Sequence, residues 1–310
     1  MGRPEKNQRR PFLLQTIYDQ PTMITAQLVK ELREKTNAGM MDCKRALEET
    51  NGDFDAAITL LREKGIAKAV KKADRVANEG TITARVSSCG KSGLILEVNC
   101  ETDFVSKNDN FQGFVKGLAD ALIASDAADL DAANAVTLDG LTIADGLKGK
   151  ITEIGENLLF RKYVRYEAQG EGAIASYIHM GGRVGVLVEL GAIKPETASQ
   201  DAFKELVKDI TLHIAALSPR GLAAEDISPE VVAAEESIYR AQLAEQGKPE
   251  AMFDKIIPGM MKKFFAENCL LEQGFVKDPG TSVKALLAAK GKELGDEVTL
   301  RRYVRFGLGE

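Results

Sequence analysis

Residues 80–217 contain an internal duplication, and no other feature restricts the fold of this 310-residue chain as strongly. At an offset of 92, Gly80 falls on Gly172, Ile82 on Ile174, Gly90 on Gly182, Gly93 on Gly185 and Glu97 on Glu189. Asp109, Phe111, Val115 and Lys116 fall on Asp201, Phe203, Val207 and Lys208, and no gap is needed. Each copy reads as two short strands of β-branched and aliphatic residues joined at a glycine turn: Thr81–Val86 with Leu94–Val98, and Ala173–Ile178 with Val186–Leu190. An amphipathic helix follows in each. A third strand completes the pattern, since Phe160–Tyr166 matches Leu300–Phe306 at an offset of 140. The second copy therefore holds 48 further residues between its helix and its last strand.

Those residues have a candidate structure. From Pro229 to Glu245 and again from Glu250 to Phe265 the pattern is helical, with Val231 and Ile238 a heptad apart and Met252, Ile256, Met260 and Phe264 at i+4 steps. Gly247-Lys248-Pro249 joins them, so a projecting helical hairpin is expected, kinked at Pro258 in its second arm. Ahead of the duplication the spacing predicts three short helices. The first carries Leu28, Val29 and Leu32 behind a Thr25 cap and stops near Gly39. The second begins about Met41, turns Cys43, Ala46 and Leu47 inward and breaks at Asn51-Gly52. Asp53 caps the third, which carries Phe54, Ala57, Ile58 and Leu61 inward and ends at Gly65. The Ala38-Gly39-Met40-Met41 loop resembles that of ubiquitin-associated domains. Lys68, Lys71, Lys72 and Arg75 then read as a solvated, charged linker.

Composition narrows the function classes. A chain 44% hydrophobic and 28% charged fits a folded globular protein of about two domains and not a disordered or rod-like one. With 41 Lys+Arg against 46 Asp+Glu, a net charge of −5 and no dominant basic tract, phosphate neutralisation is a poor basis for function, and protein partners are favoured. The longest apolar run, Val184 to Ile193, is broken by Gly185 and Glu189, so no membrane span is expected. Residues 1–22 set Arg3, Lys6, Arg9 and Arg10 ahead of only Phe12-Leu13-Leu14, which is short for a signal peptide and reads as a loose extension. Cys43, Cys89, Cys100 and Cys269 lie far apart with no C-x-x-C pair, suiting small buried thiols in a reducing cytoplasm.

The two copies differ where function is expected. After its second strand the first copy reads Cys100-Glu101-Thr102-Asp103-Phe104-Val105, whereas the second reads Ala192-Ile193-Lys194-Pro195-Glu196-Thr197. The packing template therefore does not demand Asp103 and Phe104. Phe104 either folds back on its own lobe or stands out as a wedge; an exposed phenylalanine forgoes about 1.5–3 kcal/mol of burial and calls for a partner. Asp103 is equally readable as a turn or capping residue. Catalytic groupings are scarce. His179 lies by a strand turn, His213 sits among apolar helix residues as a core histidine, and neither joins a recognisable triad motif. Gly90-Lys91-Ser92 lacks the first glycine of a phosphate loop, because Arg85 occupies that position, and Gly181-Gly182-Arg183-Val184-Gly185 is a hairpin signal. Arg161, Arg165, Arg301 and Arg305 read as solvated strand faces, with an RNA-binding face as the alternative. No cofactor or metal is expected.

Several stretches resemble the bacterial translation elongation factor Ts family: Leu28-Val29-Lys30-Glu31-Leu32-Arg33, Ala38-Gly39-Met40-Met41-Asp42-Cys43-Lys44, and Glu97-Val98-Asn99-Cys100-Glu101-Thr102-Asp103-Phe104-Val105. Ile154-Gly155-Glu156-Asn157 and Met260-Met261-Lys262-Lys263-Phe264 are similar too, and the resemblance runs from Met23 to about Phe306. It implies guanine nucleotide exchange on the GTPase elongation factor Tu, without covalent chemistry or direct nucleotide binding. Asp103 and Phe104 would be the intruding pair, flanked by Thr102 and Val105, with Phe104 entering a pocket beside Tu's magnesium. The resemblance also implies contacts from Lys44, Ile154, Gly155, His179 and Val276. The turn after His179 is one residue longer than is common in the family. Similar proteins often continue past the position of Gly309-Glu310 into a helical module that adds contact with Tu, so a weaker hold on Tu is expected.

The expected fold is α+β. A loose extension (1–22) precedes a three-helix ubiquitin-associated-like domain (23–66) and a linker (67–79). The first core lobe (80–167) is followed by a second lobe (168–227 and 267–310) into which a coiled-coil hairpin (228–266) is inserted. The expected location is the cytoplasm, with a homodimer or a 2:2 complex with Tu as the expected assembly. An adaptor resting on the N-terminal helices and an RNA-binding scaffold are the rival readings.

Overall fold

A computed structural model describes residues 24–36 and 38–310; the expectation for residues 1–22 lies outside the described residues. The chain divides into two compact units, the first ending at Gly65 and the second beginning at Ile66.

The first unit holds α1 (Ala26–Thr36), α2 (Met40–Glu49) and the start of α3 (Phe54–Val70). Their facing stripes bury Val29, Leu32, Cys43, Ala46, Leu47, Ala57 and Leu61 in one cluster. Caps set the boundaries: Leu28 N donates to Thr25 Oγ1, Ala56 N donates to Asp53 Oδ1, and Asn51 and Gly52 take left-handed φ angles of 51° and 83° between α2 and α3. The expected stop at Gly65 is not observed. Gly65 has no left-handed φ, and the helix runs on through Ile66-Ala67-Lys68-Ala69 to Val70. Ala67, Lys68 and Ala69 are good helix formers, and Ala69 is buried against the following core, which offsets the cost of one glycine inside a helix.

In the second unit β1 (Glu79–Val86), β2 (Ser92–Cys100) and β5 (Leu159–Glu167) form an antiparallel sheet in that order. Between β2 and β5 run α4 (Asp103–Ser106), α5 (Asp109–Ile123), α6 (Leu130–Ala135), the short pair β3 (Thr137–Leu138) and β4 (Leu141–Thr142), and α7 (Ile143–Ile154). A second sheet repeats the design with β6 (Gly172–His179), β7 (Val184–Gly191) and, across β7 from β6, β10 (Thr299–Gly307). Between β7 and β10 run α8 (Asp201–Leu217), α9 (Pro229–Glu245), α10 (Phe253–Asn268), the pair β8 (Gly274–Phe275) and β9 (Asp278–Ser282), and α11 (Val283–Leu294). Phe111 on α5 and Phe203 on α8 are both fully buried, each anchoring its own core. The architecture is α+β. The repeat also extends beyond the sequence reading: α7 and α11 share the 140 offset, as do their caps Thr142 and Ser282 and their left-handed ends Gly155 and Gly295.

The two sheets meet through reciprocal contacts. Ile82, Ile95 and Tyr166 pack against their repeat mates Ile174, Leu187 and Phe306 in one cluster. Ile174 N donates to Gly90 O and Ile82 N to Gly182 O, both at 2.8 Å. Glu97 Oε1 accepts from Gly309 N at 3.0 Å, and Glu189 Oε1 from Gln169 N at 2.6 Å, so the tail of each third strand binds the buried glutamate of the other sheet. Glu189 also receives Arg302 Nε at 2.7 Å and Arg301 at 3.1 Å, while Lys162 lies 3.2 Å from Glu97 Oε2. Burial pushes the Glu189 carboxyl up in pKa, but the Gln169 amide and both guanidiniums outweigh it and hold the group below its ordinary value. The arginines of the last strands are therefore not the solvated faces expected: Arg165 donates to Leu122 O and Arg305 pairs with Glu310.

The pair α9 and α10 buries Leu243, Phe253, Ile257, Met261 and Phe264, with Val232 and Tyr239 packed beside them. Of the expected stripe Phe264 is buried and Ile256 and Met260 are partly buried, whereas Val231, Ile238 and Met252 are exposed and their neighbours Val232, Tyr239 and Phe253 turn inward instead. A straight helix drifts relative to a heptad count, and the short turn Glu250–Met252 resets the phase before Phe253. Pro258 lies inside α10 without ending it.

Close approach of the sheets depends on missing side chains. A Cβ on Gly93 would lie 2.6 Å from Ile174 Cγ2, and one on Gly185 only 2.5 Å from Ile82 Cγ2. Replacing Gly185 by alanine is expected to cost about 1–3 kcal/mol by overpacking, read as a lower urea midpoint; an unchanged midpoint would show that the sheets separate without penalty.

Candidate functional site

The turn after β2 carries the most exposed large apolar side chain among the described residues. Phe104 is 83% exposed. Thr102 caps α4, its hydroxyl accepting from Val105 N at 3.4 Å, and Val105 packs into the core beneath. With Thr102 and Val105 pinned, the residues between them face outward. Of the two orientations open to Phe104, the protein adopts the exposed one. Asp103 does not cap the turn; it pairs with Lys107 at 2.7 Å, and that hydrogen bond holds its carboxyl below the ordinary pKa.

A second segment ties this turn down. α7 ends at Gly155, whose φ of 90° suits glycine and directs the chain back toward β2. Glu156 then accepts from Glu101 N and Thr102 N, each at 3.0 Å, and from the Thr102 hydroxyl at 2.6 Å. Glu101 reciprocates by accepting from Asn157 N at 2.6 Å. Ile154, partly buried, packs on the same core as Val105. The basic segment expected to be a solvated linker is docked here as well. Lys72 donates to Gly155 O at 2.5 Å, Asn157 Nδ2 donates to Ala73 O and Arg75 O, and Arg75 lies 3.5 Å from Glu101. Free carbonyls at the end of α7 and the Glu101 carboxylate give these cations partners that a polar run alone does not reveal. Burial, with Arg75 nearby, lowers the Lys72 pKa.

His179 ends β6, exposed, its Nδ1 3.0 Å from the Tyr177 hydroxyl. The following turn, with exposed Met180, lines a cavity of about 360 Å³ together with Ser106, Lys107 and Gln112, which follow the Phe104 turn in the chain; His179 and Phe104 do not line it. Val276 lies elsewhere, on the β8–β9 hairpin against α8, where its amide donates to His213 Nδ1 at 3.1 Å. His213 Nε2 sits 3.0 Å from Gln273 Oε1, so the imidazole is buried and fully bonded, as a core histidine. Lys44 belongs to α2 of the first unit and lies 3.8 Å from Glu48. The structure thus joins the 101–105 turn to the end of α7 through Glu156 and the shared core, whereas His179, Val276 and Lys44 stand on other elements. Glu156 was legible only through its motif; the signal that isolates it is its repeat mate Asp296, 140 positions on.

Among the described residues no group of three His, Cys, Asp or Glu side chains is placed to hold a metal ion, and no helix is long and apolar enough to cross a membrane. Cys43, Cys100 and Cys269 are buried, the Cys100 thiol pushed by burial to about 12, whereas Cys89 is exposed on the β1–β2 turn, contrary to the expectation of four buried thiols.

Residues 101–310 match the family described as elongation factor TS. The elongation factor Ts of Trichlorobacter lovleyi is 46% identical over 290 residues, covering 93% of each chain. That of Clostridium perfringens is 46% identical over 289 residues, 93% of this chain and 94% of the relative, and that of Bdellovibrio bacteriovorus 44% over 287 residues, 92% of each. The chain belongs to the elongation factor Ts family. Membership makes it a translation elongation factor.

His213 gives the second unit a pH dependence. Burial lowers its pKa below the ordinary 6.5, so the folded state favours the neutral ring that accepts from Val276 N. The stabilisation is present above the unfolded value and is lost as pH falls through the lower native one. The urea midpoint is expected to drop below pH 6.5, and to drop less in His213→Asn; equal slopes in the two proteins would rule His213 out as the cause.

Proposed function

We propose that the chain is a guanine nucleotide exchange factor for the GTPase elongation factor Tu, inserting Asp103 and Phe104 beside Tu's magnesium and phosphate site. The observation that carries the reading is the 83% exposure of Phe104 on a turn tied at both ends. An aromatic ring held in water forgoes about 1.5–3 kcal/mol, which a pocket on a partner would return. In this reading Thr102 and Val105 set its base, and Ile154, Gly155 and His179 supply further contacts with Tu. Lys44 and Val276 extend the contact to other parts of Tu.

Exchange by this route is linkage and makes or breaks no covalent bond. A partner that binds nucleotide-free Tu more tightly than Tu·GDP weakens GDP by the same factor. A ring pressed toward the magnesium would disturb the ion's ligands and the phosphate contacts, so the differential affinity arises where the nucleotide is held. The exchange factor itself then needs no nucleotide site, and the work is done in the cytoplasm during elongation. The same reading takes residues 23–66 as a ubiquitin-associated-like domain reaching Tu through Lys44, the two sheets with their helices as core lobes 80–167 and 168–227 with 267–310, and 228–266 as a coiled-coil hairpin.

The test follows release of a fluorescent GDP from purified Tu under excess unlabelled nucleotide. The chain is expected to accelerate release, and Phe104→Ala to lose at least about 2 kcal/mol of that effect, roughly thirtyfold. Equal acceleration by both proteins would discard the wedge, and none by either would discard exchange.

A further inference from the structure

We infer that Glu156 is a positioning residue for exchange: its carboxylate fixes the Glu101-Thr102 backbone and thereby sets where Phe104 stands. The inference rests on the exchange reading above and goes beyond it, because Glu156 reaches no exposed part of the proposed contact. All three of its bonds go to the two residues preceding Asp103: Glu101 N, Thr102 N and the Thr102 hydroxyl. The same hydroxyl accepts from Val105 N, so one carboxylate governs both the entry to α4 and its cap. The Glu101 side chain returns the favour to Asn157 N, closing a ring of bonds between the end of β2 and the start of β5.

The repeat supplies an internal comparison. Asp296 is the mate of Glu156 at the 140 offset, and Ile193 and Lys194 are the mates of Glu101 and Thr102 at the 92 offset. Asp296 accepts from Ile193 N at 3.3 Å, Lys194 N at 3.0 Å and the Thr197 hydroxyl at 2.5 Å. The two amide bonds of the carboxylate clamp are therefore part of the duplicated template, while the hydroxyl bond shifts from Thr102 to Thr197, the mate of Val105. Only the first turn bears an exposed aromatic; the second carries Pro195-Glu196 at those positions. Architecture common to both copies is put to use in one, and the consequences of cutting the two clamps should diverge.

A glutamine at 156 keeps the shape but turns one acceptor into a donor facing the backbone amides. A hydrogen bond to a charged group is worth at least about a factor of ten. Glu156→Gln is accordingly expected to lower Tu·GDP release about tenfold at saturating factor, and to speed hydrogen exchange of the Glu101 and Thr102 amides in the free protein. In a Phe104→Ala background the same change is expected to cost nothing further, because the ring it positions is gone. Asp296→Asn is expected to lower thermal stability comparably while leaving release unchanged. The inference is overturned if Glu156→Gln releases GDP as fast as the unaltered chain, if its loss persists in full on Phe104→Ala, or if amide protection at 101 and 102 does not change. Absence of any acceleration by the unaltered chain is a different result: it removes the exchange reading on which the inference rests.

Discussion

The structure depends on how two sheets of one design are allowed to touch. Gly93 and Gly185, one on the central strand of each, leave room for an isoleucine of the opposite sheet, and any Cβ there would lie within 2.6 Å of it. Through that gap the sheets exchange turn carbonyls, from Gly90 to Ile174 and from Gly182 to Ile82, and each buried glutamate is bonded by the tail of the other sheet's last strand. Two buried carboxylates would be costly alone. Paired with Lys162, or with Arg301 and Arg302, and supplied with a backbone amide, they instead lock the relative position of the sheets. Even the rings across the join repeat, with Lys162 over Phe306 and Arg302 over Tyr166.

A rigid join matters because the surface carrying Phe104 is assembled from both sides of it. The Phe104 turn leaves β2 of the first sheet, the His179 turn leaves β6 of the second, and the recess lined by Ser106, Lys107, Met180 and Gly181 keeps its shape only while the sheets stay in register. Within the first sheet the end of α7 returns to the end of β2, and the backbone bonds there hold an apolar ring in water on a turn that cannot collapse onto the core. Exposure of this kind is sustained by local covalent and hydrogen-bond constraint, and it leaves the burial energy of the ring available to a partner.

The duplication was legible because strands and helix cores repeat residue by residue, so Ile82, Gly93, Glu97 and Phe111 announced their mates at a fixed offset. The repeat of α7 in α11 was not, since Ile143–Ile154 and Val283–Leu294 share a burial pattern and caps but little identity. Phe104 stood out by asymmetry, whereas its orientation depended on Thr102 and Val105 being held by Glu156 and the core, long-range facts that no local pattern contains. The same limit explains the other departures. Gly65 stayed helical because Ala69 had a core to enter, Lys72 and Arg75 docked on partners more than twenty positions away, and Arg301 and Arg302 turned to a glutamate on a neighbouring strand. Charge and glycine patterns describe what a segment can do in water; tertiary partners decide otherwise.

The central claim is a coupling between two ligands of one GTPase, and it is measured most directly as a closed thermodynamic cycle. Calorimetric titration of the chain into nucleotide-free Tu and into Tu·GDP should give a tighter complex with the nucleotide-free form. GDP binding to Tu with and without the chain should then weaken by the same factor. Equal affinity of the chain for both forms of Tu would contradict the account, because a partner indifferent to the nucleotide cannot shift its release equilibrium.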